Sequence, residues 1–148
     1  MKIKILLLHA TSKIEPWFQD KINELKEYIL QQEKYEFVAM PEMFDHEKFI
    51  EVKLGLIEKA DIVVSIMTVP SNEVGMLTMH AASQKYVLAI SEAGYGERSV
   101  FVRTYKRKRH NYTFVSYTNV SHIIEELNKI WEKYFAEKEV PIPEGFTK

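Results

Sequence analysis

The run Ile62-Val63-Val64-Ser65-Ile66-Met67 is apolar almost throughout, with no polar alternation. A strand with one solvated face alternates apolar and polar side chains, so a β-branched run of this kind predicts a strand covered on both faces. Tyr86 to Ile90 repeats the character about 25 residues later, and the segment between them is helical in pattern. Two such strands joined by a helix form a βαβ unit. The loop Val69-Pro70-Ser71-Asn72-Glu73-Val74-Gly75 then lies at the carboxyl end of the first strand, where open α/β sheets place their ligands.

The rest of the chain can be arranged around this unit. Ile3 to Leu8 reads as a first core strand, followed by a polar turn, His9-Ala10-Thr11-Ser12-Lys13. Thr11 or Ser12 is suited to cap the next helix, Pro16 to its first turn, and Phe18, Ile22, Leu25 and Ile29 fall on one helical face ending near Gln32. Tyr35 to Ala39 is a short second strand, with Pro41 to His46 as the loop after it. A second helix is expected from Glu47 to Lys59 with Ile50, Leu54 and Ile57 inward. After the central unit, residues 91–98 read as a glycine-containing loop long enough to act as a lid. Ser99 to Tyr105 is strand or short helix, and Tyr112 to Tyr117 is a last strand. The final helix starts near Asn119 and Ser121 and carries Ile123, Leu127, Ile130, Trp131 and Tyr134 on its apolar stripe. This order predicts a flavodoxin-like or Rossmann-like three-layer α/β sandwich, a five-stranded parallel sheet with strand order 2-1-3-4-5.

Composition narrows the function classes. A chain of 148 residues suits one domain, taken as 1–140 with a tail at 141–148 in which Pro141 and Pro143 oppose further helix. The formal net charge of −1 gives no global pull toward nucleic acid or anionic lipid, so any basic site is local. The absence of cysteine excludes disulfides, thiolate catalysis and cysteine-ligated metal. No segment is apolar for long enough to span a membrane, and the cytoplasm is the expected compartment.

The segment Glu58-Lys59-Ala60-Asp61-Ile62-Val63-Val64, followed by Thr68-Val69-Pro70-Ser71, Val74-Gly75 and Ala81, resembles the nucleoside 2-deoxyribosyltransferase family. The likeness is to its small deoxynucleoside 5'-monophosphate N-hydrolase branch in particular. Ser99 and Arg103 fall where that branch has a serine and an arginine, and Trp131 to Phe135 resembles the family's last helix. The resemblance implies a nucleotide or nucleoside ligand, no cofactor, phosphate contacts from Ser71, Gly75 and Ser99, and a homodimer in which Ser99 reaches the neighbour's pocket. His9, Thr11, Lys13, Lys53, Leu77 and Arg103 complete the implied substrate-binding set.

The departures from the family pattern bear on catalysis. The position implied for the nucleophilic glutamate is Leu77, and a second family carboxylate falls on Lys53. Cleaving a glycosidic bond of this type needs a carboxylate at the oxocarbenium-like C1, and leucine has no lone pair. The first expectation is therefore a nucleotide-binding relative with impaired catalysis. A second is an active glycosidase with a relocated carboxylate, Glu73 or Glu42, the latter able to pair with His46. A third is a nucleic-acid or protein-binding module using 103–110, where Lys106 to Arg109 concentrate charge beside Tyr105 and Tyr112. Asp61 reads as a turn acceptor, Met76, Leu77 and Met79 as core or dimer contact, and His9, His46 and His80 match no metal-ligand spacing.

Overall fold

The computed structural model describes residues 2–11, 14–39, 49–95 and 111–137. Five strands, β1 (Ile3–Leu8), β2 (Tyr35–Phe37), β3 (Ile62–Ile66), β4 (Tyr86–Glu92) and β5 (Tyr112–Tyr117), form one parallel sheet in the order β2-β1-β3-β4-β5. Helices α1 (Pro16–Gln31), α2 (Phe49–Lys59), α3 (Asn72–Ala82) and α4 (Val120–Glu137) cover its two faces. The expected doubly wound sandwich is the observed one.

The unbroken apolar run of β3 serves both faces. Ile62, Val64 and Ile66 join Ile3, Ile5, Leu7, Leu88 and Ile90 beneath α1 and α4. Val63 turns the other way, to Leu6, Leu8 and Val87 beneath α2 and α3. The helical stripes are as expected in α1 and α4, where Phe18, Ile22, Leu25, Ile29, Ile123, Leu127, Ile130 and Trp131 are all buried. In α2 the expectation is corrected. Ile57 is buried, but Leu56 joins it in place of Ile50, which is 46% exposed, and Leu54 is only partly covered. Ile50 lies on the same face as Ile57, seven residues earlier, but it stands in the first turn of α2, beyond the part of the helix that the core covers, while Leu56 and Ile57 sit over it in the last turns.

Two further corrections concern the ends of elements. Thr11 does not cap α1, and Ser12 lies outside the described residues; the N-cap is Glu15, which makes no side-chain cap bond, and Pro16 takes the first helical position. Proline there has no N–H needing a partner, which makes a side-chain cap less necessary. Ser91 and Glu92, expected in a loop, extend β4 in register with Ser116 and Tyr117. The chain turns only after them, with Gly94 at φ +97°, a left-handed conformation that glycine adopts without steric cost.

Asp61 holds the amino-terminal edge of the sheet. Its carboxylate accepts from the Lys4 backbone N–H and from the Tyr134 hydroxyl, both at 2.9 Å, so one side chain ties β1, β3 and α4 together. Asp61, expected as a local turn acceptor, instead accepts from two elements distant in sequence. On the α3 side, Thr78 donates to the Val74 carbonyl at 2.6 Å, so its single proton is committed and the Ser65 hydroxyl donates to Thr78 Oγ1 at 2.7 Å. Both hydroxyls are fully buried.

Candidate functional site

The chain leaves β1 toward β2 on one side and leaves β3 toward β4 on the other. The loops after β1 and β3 therefore diverge and open a crevice at the carboxyl edge, the switch point at which this sheet order places ligands. His9 to Thr11 lie on one side of it and Met67 to Ser71 on the other.

Ser71 is the N-cap of α3, its hydroxyl oxygen accepting from Val74 N–H at 3.3 Å. Gly75 N–H is bonded to the Ser71 carbonyl at 3.0 Å. The first-turn amides of Asn72 and Glu73 have no carbonyl within the helix to bond, and they give this end its partial positive charge. The serine hydroxyl still carries a proton to donate.

His9 is half-buried and sits edge-on to Phe18, with ring centroids 6.5 Å apart. Its Nδ1 lies 3.0 Å from the Ala10 carbonyl, which can only accept, so Nδ1 carries the proton and Nε2 presents a lone pair. Burial pushes the imidazole pKa down, Lys26 and Lys53 push the same way, and the bond to Ala10 opposes them. The ring is thus biased toward its neutral form.

Lys53 enters from the first turns of α2, half-buried, with Nζ 5.3 Å from the centre of the Phe49 ring. Burial lowers its pKa, the Glu73 carboxylate raises it, and Lys26 lowers it. The structure therefore brings His9, Lys26 and Glu73 within electrostatic reach of Lys53, with Glu73 in the first turn of α3. A half-buried ammonium coupled to the first turn of α3 suits an anion, and neutral His9 adds an acceptor for a hydroxyl or exocyclic N–H.

Leu77, two residues beyond Gly75, is 4% exposed and packs with Leu6, Leu8, Val38 and Val74. It belongs to the core under α3. Met79 is partly buried against Met67 and Ala89, while Met76 on the same helix is 61% exposed. His80 stands in the last turn of α3, at the opposite edge of the sheet from His9, with Gln84 Nε2 3.0 Å from its Nε2. Among the described residues no group of three metal-ligating side chains converges. Lys13, Glu42, His46, Ser99, Arg103, Tyr105 and Lys106 to Arg109 lie outside the described residues, and Thr11 is exposed.

Sequence reasoning missed Thr68, which is 2% exposed. Its Oγ1 accepts from the Glu92 backbone N–H at 3.1 Å, and its side chain bonds to Tyr117, linking β3, β4 and β5 at the carboxyl edge. The signal was a lone threonine closing an apolar run. Lys26 was missed too, being one of many charged residues on the outer face of α1.

No known family's profile matches this chain, and no curated protein sequence matches it. Solved structures do. The fold is similar to that of the Clostridium botulinum CMP N-glycosidase BcmB, with a TM-score of 0.61 and 13% identity over 85% of this chain and 98% of that one. It is also similar to part of the Francisella novicida lysine decarboxylase LdcF, with a TM-score of 0.56 and 11% identity over 89% of this chain but only 17% of that one. At such identities the likeness is one of fold. This is a Rossmann-like α/β sandwich of the kind found in a nucleotide N-glycosidase. No described helix is long and apolar enough to cross a membrane.

Proposed function

We propose that this chain binds a nucleoside 5'-monophosphate or a related nucleotide at the switch-point crevice and does not cleave its glycosidic bond at an ordinary enzymatic rate. The observation that carries the reading is Leu77. At the place where the resemblance puts the attacking carboxylate, the side chain is apolar and part of the core. Loss of a nucleophile removes several powers of ten in rate, about 4 kcal/mol or more of barrier. The groups suited to a phosphate remain: the Ser71 hydroxyl, the first amides of α3, and Lys53 in place of an acid. The shared fold with a CMP N-glycosidase supports a nucleotide as the ligand class. Ser99 from a neighbouring subunit would complete the phosphate end in a homodimer, which sedimentation at several protein concentrations tests.

Isothermal titration with CMP, dCMP, cytidine and cytosine, beside chromatographic assay of base release, tests the main reading. Monophosphates are expected to bind saturably and more tightly than nucleosides, with Lys53→Ala weakening them about tenfold, as loss of a charge-assisted contact does. No base is expected over days. Absence of binding at millimolar ligand abandons the crevice as a nucleotide site. Base release that Glu73→Gln abolishes would instead establish a relocated carboxylate, a reading favoured by the electrostatic coupling of Glu73 to Lys53.

A further inference from the structure

A second cavity lies away from the switch point. It runs between α1 and the junction of β5 with α4, has a volume of about 260 Å³, and is walled by Leu25, Tyr28, Tyr117 and Val120, with Glu24 at its side. Such a volume is near the lower end for small-molecule sites, roughly 300 Å³ upward. We propose that this groove binds a small organic ammonium ion, its charge against Glu24 and its apolar body between the rings of Tyr28 and Tyr117.

The charges decide the class of ligand. Among the described residues three ionised side chains stand at or beside the groove: Lys21, Glu24 and Glu92. Lys21 Nζ lies 3.5 Å from the Glu92 carboxylate, so that cation is already partnered. Glu24 has no ion-pair partner among the described residues, which leaves the groove one negative charge in excess. Tyr117 reports the same field. Burial raises its phenol pKa, and Glu92 and Glu24 raise it further, against the bond from Thr68. Tyr117 and Tyr28 both line the groove, Tyr28 with 41% of its surface exposed. A carboxylate and two tyrosine rings lining one groove supply the charge and the aromatic surface that recognise ammonium groups.

The opposing influence is the N-terminus of α4, whose dipole would favour an anion. Its His122 N–H is already closed by Asn119 Oδ1 at 3.2 Å, and the Ser121 hydroxyl also bonds to that oxygen. The cation is thus expected on the α1 side of the groove, away from Ser121.

Three probes of one shape and different charge test the proposal: isoamylammonium, isoamyl alcohol and isovalerate, each titrated into the full-length protein and followed by amide NMR. The ammonium is expected to shift resonances from Lys21 to Tyr28 and from Tyr117 to Ser121 saturably, and to bind about fivefold to tenfold more tightly than the alcohol. Glu24→Gln should remove that preference, and because Glu24 is exposed on α1 the variant should keep the fold. Equal binding of all three probes, tighter binding of isovalerate, no saturable shift at tens of millimolar, or a preference that survives Glu24→Gln would each overturn it. CMP titration of Glu24→Gln should match the wild type, which separates this site from the switch-point crevice.

Discussion

Replacing Leu77 by alanine and by glutamate distinguishes a core position from a pocket wall. Leu77 is 4% exposed and surrounded by Leu6, Leu8, Val38 and Val74, so truncation leaves a cavity the sheet cannot readily fill. Leu→Ala at such sites costs about 2 to 5 kcal/mol. At 148 residues each kcal/mol corresponds to about 2 to 4 °C, so a middle value of about 3 kcal/mol predicts a fall in Tm of about 6 to 12 °C. Glutamate is a harsher test, because it restores the carboxylate that the family resemblance places there. A carboxyl buried among aliphatic side chains has its pKa raised by up to about 3 to 5 units, each worth about 1.4 kcal/mol, giving about 4 to 7 kcal/mol at neutral pH. That rivals the whole stability of an ordinary domain, about 5 to 15 kcal/mol. The sign follows from the raised folded pKa: the electrostatic penalty is absent below the unfolded value of about 4.3 and grows as pH rises toward the folded value. Thermal unfolding by circular dichroism across pH 4 to 8, with wild type and Leu77→Ala alongside, reads both effects. If Leu77→Ala lowers Tm by less than about 2 °C and Leu77→Glu stays folded with an unchanged pH profile, Leu77 faces solvent-filled space and its placement in the core is refuted.

Four other outcomes are expected. Asp61→Ala strands the Lys4 N–H and the Tyr134 hydroxyl and should cost about 2 to 3 kcal/mol in denaturant unfolding, Tyr134→Phe about 1 to 2. The double variant should fall short of the sum, and additivity would deny the contact. In the wild type the Tyr134 phenol, pushed up to about 12 by burial and by Asp61, contributes stability that is complete below pH 10 and lost as pH rises toward 12; phenolate absorbance checks it. Thr78→Val removes the acceptor of the buried Ser65 hydroxyl and should cost about 1 to 3 kcal/mol, with Ser65→Ala added to it recovering part of the loss; no recovery would count against the pairing. His9, its pKa held below the ordinary 6.5, should show a depressed NMR titration midpoint. Below pH 6.5 the unfolded chain takes up a proton that the native ring resists, so stability should fall there, and less so in His9→Gln.

Much of the fold is legible in local pattern. The two-faced strands, the stripes of α1 and α4 and the order of elements all follow from apolar spacing, since a strand or helix repeats its burial at a fixed period. The exceptions arise where a neighbour overrides the period. Ile50 has the right spacing but stands in the first turn of α2, where the helix has not yet reached the core that buries Leu56 and Ile57. Ser91 and Glu92 look like loop but are held as strand by β5, a segment some twenty residues further along.

The chain alone determined that the carboxyl edge between β1 and β3 would carry Ser71 and Gly75, and that leucine and lysine would stand at the two positions where the resemblance expects acids. Only the folded arrangement decided what those two do. Leu77 went into the core because the inner side of α3 lies on the sheet, and Lys53 came within reach of His9, Lys26 and Glu73 because parallel crossovers return distant segments to one edge. The groove beside Glu24 and Tyr117 was likewise invisible in the sequence, where those residues stand more than ninety positions apart, and it exists because α1 and α4 share one face of the sheet.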